Sequence, residues 1–345
     1  MSKSHPKPGT LEWYAQVNEP VIDPERPIID THHHFWRLDD VSQWGVYGLN
    51  ELWSDTGSGH NIQQTVFVEC QAQYRKDEPE HLRPVGETAY VAELAKQSVA
   101  ARAAGRSCAV VAAIVGYADL TLGDALAEVL DAHEDAGEGL FRGIRHSGAH
   151  HPHPKSAVGP GRAPIDLFHQ PAFQAGVRLL GDRGYTYESW HYHTQNNDYL
   201  ALAKAAPNTI IVVNHLGHPL LGGPFRNHRD EVFSEWRGGI AALAECPNVQ
   251  IKLGGMVQPD IGLDYHTATR PATSEDLVAT QKDHYLHAIE CFGPERCTFE
   301  SNFPVDKLSV SYHVLWNAFK TMVADFSADD QHEMFFGTAK RIYQI

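Results

Sequence analysis

The stretch Ile28-Ile29-Asp30-Thr31-His32-His33-His34-Phe35-Trp36 opens on apolar residues and runs into three consecutive histidines. Read as a strand, it alternates, so His32 and His34 share one face and His33 takes the other. Two imidazoles about 6 to 7 Å apart along a strand can converge on one metal ion or on one substrate oxygen. A lone His-x-His is short enough to recur by chance, so its weight depends on where it stands in the chain.

Seven more β-rich runs follow it. With Pro27-Asp30 as the first, they are Thr65-Cys70, Cys108-Gly116, Leu140-Arg145, Gly184-Ser189, Thr209-Asn214, Val249-Leu253 and Cys297-Glu300. Most are apolar enough to be buried on both faces, as parallel strands are. Helical periodicity is clearest over Glu87-Ala104, Leu122-Ala136, Asp230-Glu245, Glu275-Phe292 and Val310-Phe326, where apolar positions return every three or four residues. Thr273-x-x-Asp276 and Ser327-x-x-Asp330 resemble capping boxes, and Gly105 and Gly293 follow apolar-periodic stretches as helix stops. This alternation predicts a single (β/α)8 TIM barrel over 27–345, preceded by an N-terminal arm over 1–26. His32 and His34 then stand at the end of the first strand, at the mouth where such barrels do chemistry. Two enlarged loops break the pattern, Ser147 to Pro164 after the fourth strand and Gly217 to Arg229 after the sixth. Each reads as a lid element or as plain surface loop.

Composition bounds the rest. The 345 residues are 42% hydrophobic and 21% charged, ordinary globular proportions. A net charge of -15 repels nucleic-acid backbones and anionic membranes, which leaves a small molecule as the expected partner. Five cysteines without a Cys-x-x-Cys pair suggest neither a disulfide framework nor a thiolate zinc site. With no apolar leader and no membrane-length run, the expected location is cytoplasmic.

Several segments recur at the strand ends: Gly143-Ile144-Arg145-His146 after the fourth, Asn214-His215-Leu216-Gly217-His218-Pro219 after the sixth, Lys252-Leu253-Gly254-Gly255 after the seventh and Ser301-Asn302-Phe303-Pro304 after the eighth. With Asp30-x-His32-x-His34 and Phe35-Trp36, they resemble, in order, the amidohydrolase superfamily in its amidohydrolase-2, lactonase-like branch, over roughly Ile28 to Tyr343. The resemblance implies a barrel that opens a lactone, ester or amide with water, often with one zinc-like ion. It carries His32 and His34 over to the first-strand pair and His215 to the sixth-strand histidine. Its fifth-strand element falls on Trp190 to Gln195, with His193 and Gln195 as the inward-pointing residues.

The eighth strand departs from the family. Where many members read Ser-Asp-Trp-Pro, Asn302 replaces the aspartate, and an amide is no base. Asp306, four residues on, is either its substitute or a helix-cap carboxylate, while Glu69 and Glu300 read as salt-bridged strand-end acids. Arg145 has the planar fork to clamp a carboxylate, and equally the charge for a structural ion pair. Lys252 reads as an anion contact or a strand-end charge, and Trp36 and Trp190 as pocket walls or core aromatics. Two mechanisms remain open. In one, His32 and His34 hold a divalent ion such as Zn2+; in the other, the same histidines and Arg145 orient the carbonyl while His215 or Asp306 activates water. The amide at 302 tips the balance toward metal-free catalysis. The expected function is hydrolysis of a small cyclic ester or related C-O or C-N bond. Its rivals are a decarboxylase or other carbon-carbon lyase on the same barrel, and a binding barrel that has lost catalysis.

Overall fold

The computed structural model describes residues 6–40, 42, 44–151 and 161–345. Eight parallel strands pair in sequence order: β1 (Pro27–His33), β2 (Asn61–Val68), β3 (Val110–Gly116), β4 (Phe141–Arg145), β5 (Thr186–Ser189), β6 (Ile211–Val213), β7 (Val249–Leu253) and β8 (Cys297–Phe299). Each coincides with an expected run, with ends shifted by a few residues. The ring closes where the chain beyond β8 meets β1. Asn302 N donates to His32 O and His34 N to Phe303 O, both at 2.9 Å.

A buried carboxylate secures that seam. Asp30 accepts from Ser301 N at 2.8 Å, Ser301 Oγ at 2.6 Å and Tyr312 Oη at 2.9 Å. Burial raises its pKa to about 6 despite these donors.

The five helices expected from periodicity are present, as Val85–Ala103, Leu126–Gly137, Arg229–Ala244, Ser274–Phe292 and Tyr312–Met322. Thr273 and Asp276 form the reciprocal capping box, and the Ser327 side chain accepts from Asp330 N. Two further crossover helices, Pro171–Asp182 and Asn196–Ala205, are not among those expected from the sequence. The first carries Gly176 and Gly181, each costing about 1 kcal/mol of helix propensity against alanine. Packing accounts for Gly176, since a Cβ there would lie 2.2 Å from Leu120 O. Phe173, Val177 and Leu180 bury the helix face at the i, i+4, i+7 spacing.

Two hydrophobic layers flank the sheet. The outer one, between strands and helices, includes Ile28, Phe35 and Phe67; the inner one gathers Ile29, Val66, Val68, Ala113, Val115 and Val212 against Ala339, Ile342 and Tyr343 of the helix Thr338–Tyr343. Simple alternation from Ile29 would send His33 inward. A register shift between Asp30 and His33 in the β1–β2 pairing reverses the parity, as a bulge does. His33 therefore faces outward against Phe35 and Phe67, at ring distances of 4.7 and 6.0 Å, and His32 and His34 face the barrel mouth.

Burial pushes the His33 pKa down to about 3. Its unfolded value is about 6.5, so below that pH the unfolded chain binds a proton that the folded chain refuses. The associated stability is complete above pH ~6.5 and is lost as pH falls toward 3. His33→Leu is expected to flatten this dependence by up to about 1.4 kcal/mol per pH unit between roughly pH 6 and 4. Urea unfolding at a series of pH values measures it, and an unchanged slope would refute the assignment.

Candidate active site

The strand ends on the C-terminal side of the barrel surround a cavity of about 590 Å3. Glu300, just past β8, lies at its base. Its Oε1 accepts from His215 Nδ1 at 2.6 Å and from His215 N at 3.0 Å, while Oε2 lies 2.8 Å from His32 Nδ1. One carboxylate thereby holds imidazoles from β1 and from the loop after β6, with ring centroids 4.6 Å apart. His34 stands beside them, 4.9 Å from His32, and donates from Nδ1 to Val68 O at 2.8 Å. That bond leaves the His34 Nε2 lone pair free.

Arg145 completes the group. Its Nε donates to Glu69 Oε1 at 2.7 Å, its Nη2 to the Glu69 carbonyl, and its Nη1 to His32 Nε2 at 3.3 Å. Burial holds all three imidazoles neutral. It depresses His32 well below the usual histidine value, assisted by Lys252 and His215; it does the same to His34, assisted by Arg145; and at His215 it outweighs the opposing Glu300 charge. Neutral rings present lone pairs as ligands or proton acceptors.

The loop after β6 is held in an unusual backbone. His215, Leu216 and His218 have φ of 52°, 54° and 44°, and Asn302 after β8 has 55°. Asparagine tolerates this left-handed region, whereas histidine and leucine occupy it at a cost of order 1 kcal/mol or more each. Gly255, at φ 66°, allows the loop after β7 to press against this segment, because a Cβ there would lie 2.3 Å from His215 Nδ1.

Of the residues expected from sequence, His34, Trp36, Arg145, Trp190, His215 and Asn302 line the cavity, and His32 lies fully buried behind them. Four do not reach it. Asp306 is sealed behind Asn302, accepting from its Nδ2 at 2.8 Å, and burial raises its pKa well above the carboxylate range. His193 accepts from Leu220 N at 3.2 Å, and Gln195 bridges Gly148 O and His150 N at 2.8 and 2.9 Å; both brace loops. Lys252 is buried in an ion pair with Glu188 at 2.6 Å, and Glu188 also accepts from Asn214 Nδ2 at 2.9 Å and Tyr343 Oη at 2.6 Å.

Sequence reading passed over three groups. Glu300 was set aside as a strand-end acid; its partners are histidines that only the fold brings to it. Asp260 and Gln258 line the cavity from the loop after β7, with no motif to mark them, and His218 lies 3.2 Å from Asp260 through its Nε2. Of the two enlarged loops, Ser147, Ala149, Arg162 and Ala163 border the cavity, 152–160 lie outside the described residues, and the segment from Gly217 to Arg229 contributes no lining residue. Among the described residues no helix is long and apolar enough to cross a membrane.

The Lys252–Glu188 pair is a buried charge pair, so breaking it strands a carboxylate. Lys252→Met is expected to lower stability by about 3 to 5 kcal/mol, and adding Glu188→Gln should recover most of that loss. Urea denaturation of both variants checks this; equal stability of Lys252→Met and the native protein would contradict it.

The amidohydrolase family model matches residues 29–345. The chain is 30% identical over 331 residues to an uncharacterised protein of Sinorhizobium fredii, covering 92% of this chain and 98% of that one. It is 26% identical over 325 residues to an L-fucono-1,5-lactonase of Burkholderia multivorans, covering 92% and 96%. A crystal structure of a Burkholderia multivorans amidohydrolase with bound zinc superposes with a TM-score of 0.69 at 24% identity, covering 92% of this chain and 99% of that one. The chain belongs to the amidohydrolase family.

Proposed function

We propose that the protein is a lactonase, opening the ring of a small sugar-acid lactone by addition of water. The observation that carries this reading is the cluster of three neutral imidazoles and one guanidinium at the cavity in the barrel mouth. L-Fucono-1,5-lactonases and an L-rhamnono-gamma-lactonase of Scheffersomyces stipitis among its relatives support it.

The donor set fits a divalent ion. His32, His215 and Glu300 are all buried and offer ligand atoms within 4.8 Å of one another, and mixed nitrogen and oxygen donors suit zinc. The Nδ1 of His34 is tied to a backbone carbonyl, the outer bond that orients metal-site histidines. Held by His32, His215 and Glu300, an ion there would polarise the lactone carbonyl and lower the pKa of a bound water. It would take the place in the family scheme that sequence reading gave to His32 with His34.

The chain's own groups do the rest. Arg145 places positive charge where the carbonyl oxygen gains negative charge, in a site shielded from bulk water. The His34 Nε2 lone pair receives a hydrogen bond from a substrate hydroxyl or from water. Asp306 fixes the Asn302 amide through Nδ2, so that Oδ1 is the atom left to accept. Two of the three cavity tryptophans have their indole N–H engaged, Trp36 to Cys70 O at 3.2 Å and Trp190 to His218 Nδ1 at 2.8 Å. They present apolar faces, suited to the C–H face of a sugar ring. The cysteines are all free, in keeping with the cytoplasm as the place of action.

Proton release from L-fucono-1,5-lactone and L-rhamnono-gamma-lactone, followed with a pH indicator, tests the reading. His34→Ala and His215→Ala are expected to lower kcat/KM at least 100-fold, about 2.7 kcal/mol, with native circular dichroism. Loss of folding together with activity would make these histidines structural. Carbon dioxide release from aromatic acids without lactone hydrolysis would replace a hydrolase with a lyase.

Asn302→Asp adds a carboxylate beside the ion site. It is expected to tighten zinc binding about tenfold or more, read by competition with a chromophoric chelator. Unchanged affinity would place the ion away from residue 302.

A further inference from the structure

A lactonase needs an acceptor for the proton of the attacking water, and the acids nearest the histidines are committed elsewhere. Glu300 is engaged by His32 and His215, Glu69 by Arg145, and Asp306 is sealed behind Asn302. Asn302 has no proton affinity to offer. Among the described residues the cavity wall carries two carboxylates, Glu69 and Asp260. We propose that Asp260, aligned by His218 and Trp190, takes the proton from the attacking water; the assignment rests on the lactonase reading.

One contact reaches Asp260, and two more hold the histidine that makes it. Trp190 Nε1, which can only donate, gives its hydrogen to His218 Nδ1 at 2.8 Å. His218 Nδ1 is therefore an acceptor and the ring proton sits on Nε2, which lies 3.2 Å from Asp260 Oδ2. Gln258 Nε2 approaches the same Nδ1 at 3.3 Å and is itself held by Gly255 O at 2.9 Å. The chain Trp190 to His218 to Asp260 thus has one polarity. It occupies one side of the Asp260 carboxylate and leaves lone pairs for water. Trp190 and Asp260 both line the cavity alongside His215, so substrate, water and carboxylate meet there.

The step balances as follows. Water oxygen bonds to the lactone carbonyl carbon, the carbonyl π pair moves onto its oxygen, and Asp260 receives one water proton. Re-formation of the carbonyl expels the ring oxygen, which takes the proton back from Asp260 as the ring C–O bond breaks. The product is the open hydroxy acid, and Asp260 is again a carboxylate. His218 keeps its proton throughout and acts as a positioning residue.

Removing a positioned base typically costs 10²- to 10⁴-fold in rate. For Asp260→Ala, kcat on L-fucono-1,5-lactone is expected to fall at least 100-fold with KM changed less than about threefold, and added sodium formate should restore a measurable part of it. Asp260→Glu should retain more activity than Asp260→Ala. Circular dichroism confirms that each variant folds. Native kcat in Asp260→Ala, a loss that formate does not rescue, or a rise in KM with kcat unchanged would each overturn the assignment while the lactonase reading stands. A native protein inactive on every lactone would overturn both.

Discussion

The active site depends on one buried carboxylate meeting two imidazoles. Glu300 comes from β8, His32 from β1, and His215 from beyond β6, so the contact joins parts of the ring that no single strand pairing links. A fully buried carboxylate is costly unless donors satisfy it. Here His215 gives its ring Nδ1 and its backbone N to one oxygen, and His32 Nδ1 lies 2.8 Å from the other. The bond from His215 Nδ1 turns the Nε2 of that ring away from Glu300. It also explains why His215 is held at positive φ: the same oxygen binds its ring and its own amide.

The seam of the barrel lies within this site. β8 and β1 join through residues 301 to 303 and 32 to 34, and Asp30 binds Ser301 by backbone and side chain. The hydrogen bonds that close the sheet are made by histidines of the candidate site and their neighbours across the seam. The amide at 302 is held by its backbone bond to His32 and by Nδ2 donating to Asp306, a bond that a carboxylate at this position could not give.

The fold was largely legible in the sequence, because apolar strand runs and 3.6-residue periodicity are local signals. The missed crossover helix at Pro171–Asp182 is instructive: its glycines weaken the local preference, and close approach to Leu120 compensates. Alternation correctly grouped His32 with His34. It could not show the register shift that turns both toward the mouth, since a bulge depends on the partner strand. At the site, motif position located His34, Arg145, His215 and Asn302. Lys252 was ambiguous because whether a strand-end cation meets substrate or a buried acid depends on Glu188, 64 residues away. Glu300, Asp260 and His218 escaped for the same reason: their roles come from partners that are distant in sequence.

The inner layer of the barrel carries one more consequence. Ile342 and Tyr343 pack among side chains of β1, β2, β3 and β6, and the Tyr343 hydroxyl reaches Glu188 beneath the histidines. During synthesis the strands emerge first, yet their interior stays unfilled until residue 343 has left the ribosomal tunnel. A chain cut before residue 342 would have every strand and every histidine of the candidate site but an open core, and Glu188 would lack its Tyr343 partner. Filling of the barrel interior beneath the candidate site is thus deferred to a helix that follows all eight strands.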